Sequence, residues 1–405
     1  MKDSQYWMFW THPDVQSDLN AEAAHKAWYT SDKFNRYPSK SKVRASVASV
    51  LEGWAPPSPI IHPSTRVLAM GSCFAANFVE WLISHGYNLP LVDNPYSGLL
   101  RNAFENVSVV AQQFRWAFGE FDPQTAVWYD KSKKLVEPTE ERRLALRAIL
   151  EQTDVLIVTL GLSEVWYDTQ TGEPLWRVLP VGHHDPSRHA FKVETVSDTV
   201  RCFQVIDSIR ERYLPNLKIL YTVSPLRLHA TFRPISAVTA NSVSKAIIRA
   251  ALDEFFRSRE GLLGETYYYF PSYEIATDVA VDPFADDQHH LHEAVLSYVL
   301  ELFASHYTSF AHDGKYSDSV LSRVDQRLEH VEKAYDERLK QAAVLAHEVA
   351  ILRKTCDERL ALIHQLDQAC KDMRASQLGQ EGKNVRKSSS FVSRLIRKLS
   401  RKNAA

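Results

Sequence analysis

The sequence predicts an α/β domain, a parallel β-sheet covered by helices, followed by a long C-terminal α-helical coiled coil. From residue 64 to about 306, short apolar runs alternate with amphipathic stretches. Strands that are apolar throughout, rather than alternately, belong to a sheet buried on both faces. After residue 318, apolar side chains recur every seven residues over eight heptads without a proline, the spacing of a supercoiled helix. The chain has 405 residues, 45% of them hydrophobic and 24% charged, which suffices for a sizeable core and an accessory segment.

Each element is read from its local pattern. Residues 1–62 are aromatic and proline-rich, ending in Trp54-Ala-Pro-Pro-Ser-Pro, and read as an irregular extension packed on the domain. Arg66 to Met70 is the first strand. The helix after it carries Phe74, Phe78 and Leu82 on one face and stops at Gly86. Leu89 to Val92 reads as a second strand. A helical insertion occupies 106–152, with Thr139 as an N-cap. Asp154 to Leu160, almost wholly apolar and β-branched, is a central strand. Leu217 to Val223 and Thr266 to Phe270 are two more. Helical periodicity fills 194–213 and 239–258, and Leu291 to Phe303 closes the domain. Five strands with helical crossovers give a flavodoxin-like three-layer count, and such sheets bind ligands beyond the carboxyl ends of their strands.

The domain is bounded at 63–306 and joined by a linker, 307–317, to the coiled coil of 318–376. Leu321, Leu328, Tyr335, Ala342, Val349, Cys356, Ile363 and Cys370 occupy its a positions, and Val324, Val331, Arg338, Leu345, Leu352, Arg359, Leu366 and Met373 its d positions. Arg338 and Arg359 weaken the seam at a fixed interval. A homo-oligomer is expected through it. Residues 377–405 form a basic tail; within it, 383–402 holds eight Lys or Arg, no acid, and one apolar face of Phe391, Val392, Leu395, Ile396 and Leu399. That pattern suits peripheral contact with an anionic membrane. The net charge of −1 argues against nucleic acid as a partner. The four cysteines, at 73, 202, 356 and 370, form no CxxC pair and so no zinc or disulfide framework. With no apolar run near the ~18 residues of a membrane span and no secretory leader, a cytoplasmic location is expected, at the inner face of the membrane if the tail binds there.

Two constellations carry chemistry. Gly71-Ser72-Cys73-Phe74-Ala75 lies where a strand passes into a helix, a junction that exposes a side chain above the sheet edge and favours an anion there. A nucleophile so placed uses its own N–H as an oxyanion donor. Gly-Ser-Cys by itself also fits an ordinary helix start. Asp286-Asp287-Gln288-His289-His290 lies between the last strand and the last helix, where Asp287 can orient His290; the shifted pair is Asp286 with His289. Both ends meet over one sheet edge. Arg227, just past a strand, is placed to clamp a carboxylate or phosphate. Glu164 and Trp166 come after the third strand. His183 and His184 share a loop without partners at metal-ligand spacing, so neither metal nor cofactor is expected. Ser242 and Lys245 read as the capped, solvated start of a helix.

Gly71 to Ala75 spell the motif that names the GSCFA family. The sequence resembles that family further in Asn94-Pro95, in Thr159-Leu-Gly-Leu-Ser-Glu-Val-Trp166, in Thr222-Val-Ser-Pro-Leu-Arg227 and in the segment ending at His290. The resemblance covers about 64–306. It implies the SGNH (GDSL-like) hydrolase fold, and with it ester hydrolysis or acyl transfer on a small-molecule or glycan ester, with Ser72 or Cys73 as nucleophile, His290 as base and Asp287 as its partner. Laying Gly-Asp-Ser over Gly71-Ser72-Cys73 puts Cys73 at the nucleophile position; reading Ser72 there shifts the register by one. The SGNH pattern also supplies an Asn to the oxyanion hole, where this chain has Ser163; Asn94, Ser163 or backbone N–H groups near Gly161 are the substitutes, and Glu164, Arg227 and His184 are further pocket candidates. The competing reading is an inactive glycan- or acyl-binding module on a coiled-coil scaffold.

Overall fold

The computed structural model describes residues 48–87, 106–123, 134–175, 181–280, 282–309 and 318–379, together with 89, 128–129, 179, 392–394 and 396–397. Most of the proline-rich extension, residues 90–92 of the expected second strand, Asn94, most of the linker and most of the basic tail lie outside the described residues.

The helical turn α1 (Ala48–Leu51) precedes β1 (Val67–Gly71) and α2 (Phe74–Ser84). Then come α3 (Val107–Ala117), α4 (Glu140–Glu151), β2 (Val155–Leu160), β3 (Glu164–Asp168), β4 (His189–Val193) and α5 (Val196–Tyr213). The domain continues through β5 (Lys218–Val223), α6 (Ala237–Ser258), β6 (Tyr267–Tyr269) and α7 (Glu293–Tyr307). The long helix α8 spans Asp318–Gly379. Among the described residues, β1, β2, β5 and β6 form one parallel sheet in that order, while β3 and β4 pair antiparallel as a separate ribbon.

The pleat sorts the core into two layers. Leu68, Met70, Leu156, Val158, Ile219, Tyr221, Tyr267 and Tyr269 face Phe114, Leu146, Phe203, Ile248 and Phe255 of α3 to α6. Val67, Ala69, Val155, Ile157, Leu220 and Tyr268 face Phe74, Phe78 and Leu82 of α2 and Val299, Phe303 and Tyr307 of α7. Alternate residues of each strand thus go to opposite helix layers, and the strands read as unbroken apolar runs because both layers are dry. The three-layer α/β expectation holds. The ribbon β3–β4 escapes a reading by periodicity: its five-residue strands carry Glu164, Asp168, His189 and Lys192 among their apolar residues. Cross-strand pairing, an Asp168–Arg188 ion pair at 2.6 Å with a buried carboxylate, and the ring contacts of Trp166 with Phe191 and Phe232 hold it.

The starts of α4, α5 and α6 obey capping rules. The Thr139 hydroxyl accepts from the Arg142 N–H, starting α4. Thr195 and Asp198 form a reciprocal capping box on α5. The expected start of α6 near Ser242 is corrected: the cap is Ser236, whose hydroxyl accepts from the Val238 N–H. No helix among the described residues is long and apolar enough to cross a membrane.

Candidate functional site

The parallel register brings strand ends level. Gly71 pairs with Thr159 across β1–β2, and Thr159 with Thr222 across β2–β5. The loops leaving these three strands therefore lie on one edge of the sheet, the carboxyl edge, where a parallel sheet offers its crevice.

The first constellation is fixed by Thr159. The Ser72 N–H donates to the Thr159 carbonyl at 2.9 Å and to its hydroxyl at 3.0 Å, and the two hydroxyls share a hydrogen bond of 3.0 Å. Ser72 Oγ also accepts from the Phe74 N–H at 3.3 Å. Gly71 is obligatory here, because its φ is +124° and an added Cβ would meet the Thr159 carbonyl oxygen at 2.1 Å. Ser72 is consequently buried and tied on three sides. Cys73 takes the N-cap position of α2; it packs one side on the core beneath α2 and remains partly exposed. Of the two residues proposed from the sequence, Cys73 has the open side.

The second constellation closes on itself. Asp287 Oδ2 holds the Nδ1 atom of His290 at 2.6 Å, while Oδ1 accepts the His289 and His290 backbone N–H groups, both at 2.9 Å. The spacing of three residues resolves the pairing as Asp287 with His290. The His290 ring, followed by the two N–H groups, holds the Asp287 carboxyl well below the usual carboxylate range. With Nδ1 engaged, Nε2 is the nitrogen left for proton transfer. Among the described residues, Ser72 is hydrogen-bonded to Thr159 and Phe74, His290 to Asp287, and no hydrogen bond joins the Ser72 hydroxyl to the His290 ring.

The loops after β2 and β5 are joined to α6. Lys245 is buried, and its Nζ donates to the carbonyls of Gly161 at 3.0 Å and Ser224 at 2.8 Å, the first residues past β2 and β5. The solvated-face expectation for Lys245 is thereby corrected. The buried face of α6 runs through Ala240, Ser244, Lys245, Ile248, Ala251, Leu252, Phe255 and Phe256, so its helical period carries Ser244 and Lys245 inward. Ser163 turns both its N–H, at 3.3 Å, and its hydroxyl, at 3.0 Å, to the Ser244 hydroxyl. Glu164 accepts from the Thr231 hydroxyl at 2.8 and 2.9 Å, pinning the loop after β5 to the ribbon.

Arg227 reaches across to the second constellation, its Nη1 donating to Gln288 Oε1 at 2.8 Å and its backbone N–H to the His289 carbonyl at 3.3 Å. This contact places the Asp287–His290 loop beside the loop after β5. His184, in contrast, sits against Trp166 of the ribbon at 5.3 Å between ring centroids, and His183 Nδ1 pairs with the Tyr129 hydroxyl at 2.6 Å. Among the described residues no three His, Cys, Asp or Glu converge as metal ligands.

The model of the GSCFA family matches residues 66–303, more than half of the chain. The chain belongs to the GSCFA family. No curated protein matches it. The GSCFA match begins just before β1 and ends inside α7, so it encloses both constellations and every loop that positions them. Sequence reasoning missed three residues of this GSCFA edge: Thr159, Ser244 and Lys245. Thr159 is the polar residue of an otherwise apolar strand, one before its end, and the α6 period marked the other two; each was a legible signal once strand composition and helix face were combined.

Proposed function

We propose that the GSCFA domain of this chain cleaves or transfers ester-linked acyl groups, with Cys73 as nucleophile and the Asp287–His290 pair as its base. The observation that carries the reading is the Asp287–His290 contact of 2.6 Å with two backbone N–H groups on the second carboxylate oxygen. A carboxylate so fixed holds the imidazole in one tautomer and stabilises its charged form. The partial exposure of Cys73 at the start of α2 supports the thiol over the enclosed Ser72 hydroxyl.

In this reading His290 Nε2 takes the thiol proton as sulfur attacks the ester carbonyl. The tetrahedral oxyanion forms beside the N-terminus of α2, whose dipole favours negative charge. The C–O bond breaks, and His290 returns the proton to the leaving alkoxide. Water or an acceptor hydroxyl then attacks the thioester, His290 accepting its proton and passing it back to sulfur as the C–S bond breaks. The substrate class is an O-acyl ester, and O-acylated glycans fit the family resemblance. Neither step needs a cofactor. The basic apolar-faced segment 383–402 fits an anionic surface, so the proposal sets the enzyme in the cytoplasm at the inner face of the membrane; loss of anionic-vesicle binding on deleting 383–405 is expected.

Covalent labelling tests the chemistry. The protein is treated with a fluorophosphonate and, separately, with iodoacetamide, and adducts are mapped by peptide mass spectrometry beside His290→Ala. A Cys73 adduct that depends on His290 is expected. A His290-dependent adduct on Ser72 instead makes it a serine enzyme. Absence of any such adduct favours a binding module without turnover, a reading that the engagement of Ser163 by Ser244 already gives some weight, because the SGNH pattern has an oxyanion donor at that position.

A further inference from the structure

The Asp287–His290 pair sits on an exposed loop, and both side chains are about half exposed. Such a pair keeps its geometry only if the loop itself is held. The loop is closed by a bridge between Phe284 and Leu291 and by the His290 carbonyl accepting from the Ala285 N–H at 2.8 Å. Within it Gln288 has φ +54°, a left-handed conformation that costs a residue with a side chain on the order of 1 kcal/mol and persists only under external restraint.

Arg227 supplies that restraint at three points. Its backbone N–H donates to the His289 carbonyl at 3.3 Å. Its Nη1 donates to Gln288 Oε1 at 2.8 Å and approaches the Gln288 carbonyl at 3.5 Å. Its guanidinium lies 3.5 Å from the centroid of the Phe284 ring, a cation–π stack. The contacts flank Asp287 on both sides. Arg227 is itself anchored: the neighbouring Leu228 N–H donates to Asn241 Oδ1 of α6 at 2.9 Å, and Lys245 holds the Ser224 carbonyl three residues earlier.

We infer that Arg227 is a positioning residue, which holds the Phe284–Leu291 loop in the strained turn that presents His290, rather than a clamp for an anionic substrate. The role of His290 in this statement rests on the proposed acyl chemistry; the holding of the loop does not. The guanidinium spends its Nη1 atom on Gln288 and its face on Phe284, contacts that hold the loop.

The test uses the full chain, substrate-free, with amide hydrogen exchange across 284–292 in wild type, Arg227→Met and Gln288→Asn. Asn tolerates the left-handed turn but is one methylene too short to keep the Arg227 contact, so it carries the test if Arg227→Met misfolds. Exchange at 288–290 at least ten-fold faster in either folded variant, with exchange elsewhere unchanged, is expected; wild-type exchange in both overturns the inference. With a neutral aryl acetate as substrate, Arg227→Met is expected to lower kcat by 10- to 100-fold, on the order of the effect of a small misplacement of a catalytic group, and to leave KM in place. A rise in KM confined to anionic esters, with kcat intact, identifies a clamp and overturns it. Faster exchange together with His290-independent labelling leaves the loop restraint standing and removes the acyl chemistry.

Discussion

At the scale of single residues, the side chains proposed for chemistry stand apart from those that fix the backbone. Ser72 and Gly71 belong to the second kind. Gly71→Ala sets a methyl against the Thr159 carbonyl at a φ that favours glycine, and the strain and displacement together are expected to cost about 3 kcal/mol or more, read as a fall in thermal midpoint of the GSCFA domain. The cysteines divide similarly. Burial pushes the Cys202 thiol up to about 12, so at pH 8 it stays protonated and unreactive, whereas Cys356 and Cys370 are exposed and are expected to alkylate regardless of His290. Dependence on His290 is therefore the signature that singles out Cys73. Asp287→Asn keeps the size of the side chain but loses the charge that steadies the imidazolium. It is expected to slow labelling of Cys73 on the order of 10²–10⁴-fold, the usual worth of general acid–base catalysis, and unaltered labelling counts against the pair.

At the scale of elements, the sheet was legible because each strand is buried on both faces and so announces itself as an apolar run. The second constellation was legible because the spacing of Asp287 and His290 suits a single turn. The ribbon β3–β4 was not, since polar residues interrupt its short strands and part of its cohesion comes from paired backbones and from Asp168 with Arg188, neither of which has a hydrophobic period. Nor was the inward turn of Lys245, which a charged residue conceals unless the helix face is drawn. The ribbon ends at Glu194, whose N–H donates to the Ser163 carbonyl at 2.8 Å and whose carboxyl is buried. Burial pushes that carboxyl from its ordinary 4.5 up to about 7. The folded state thus binds a proton more tightly than the unfolded state, so the stabilising contribution is complete below pH 4.5 and is lost as pH rises through 7. A shift of this size corresponds to roughly 3 kcal/mol. Glu194→Gln removes the titration: chemical denaturation at pH 5 and pH 8 is expected to show wild type losing stability across that interval and the variant losing much less. Equal pH dependence in both places the proton elsewhere.

At the scale of the whole molecule, α8 carries a row of exposed apolar side chains. Leu345 is 59% exposed, Leu352 64% and Ile363 61%, and a helix gains about 25 cal/mol for each Å² of such surface it covers. We propose from the heptad seam that a second copy of α8 covers them. A parallel, in-register pair sets Glu348 at a g position against Arg353 at the following e position of the other copy, opposite charges on two exposed side chains. It also sets Arg338 and Arg359 at d against their own copies, which weakens the seam, and Cys356 and Cys370 at a against theirs. Deleting 318–405 is therefore expected to reduce an oligomer to a monomer by light scattering. Arg359→Leu is expected to raise the thermal midpoint of the oligomer. Oxidation with copper-phenanthroline is expected to join Cys356 to Cys356 and Cys370 to Cys370. An antiparallel pair faces a positions to d positions and so sets neither cysteine against a cysteine; no linkage, with the oligomer intact, reverses the orientation, and a full-length monomer removes the pairing altogether.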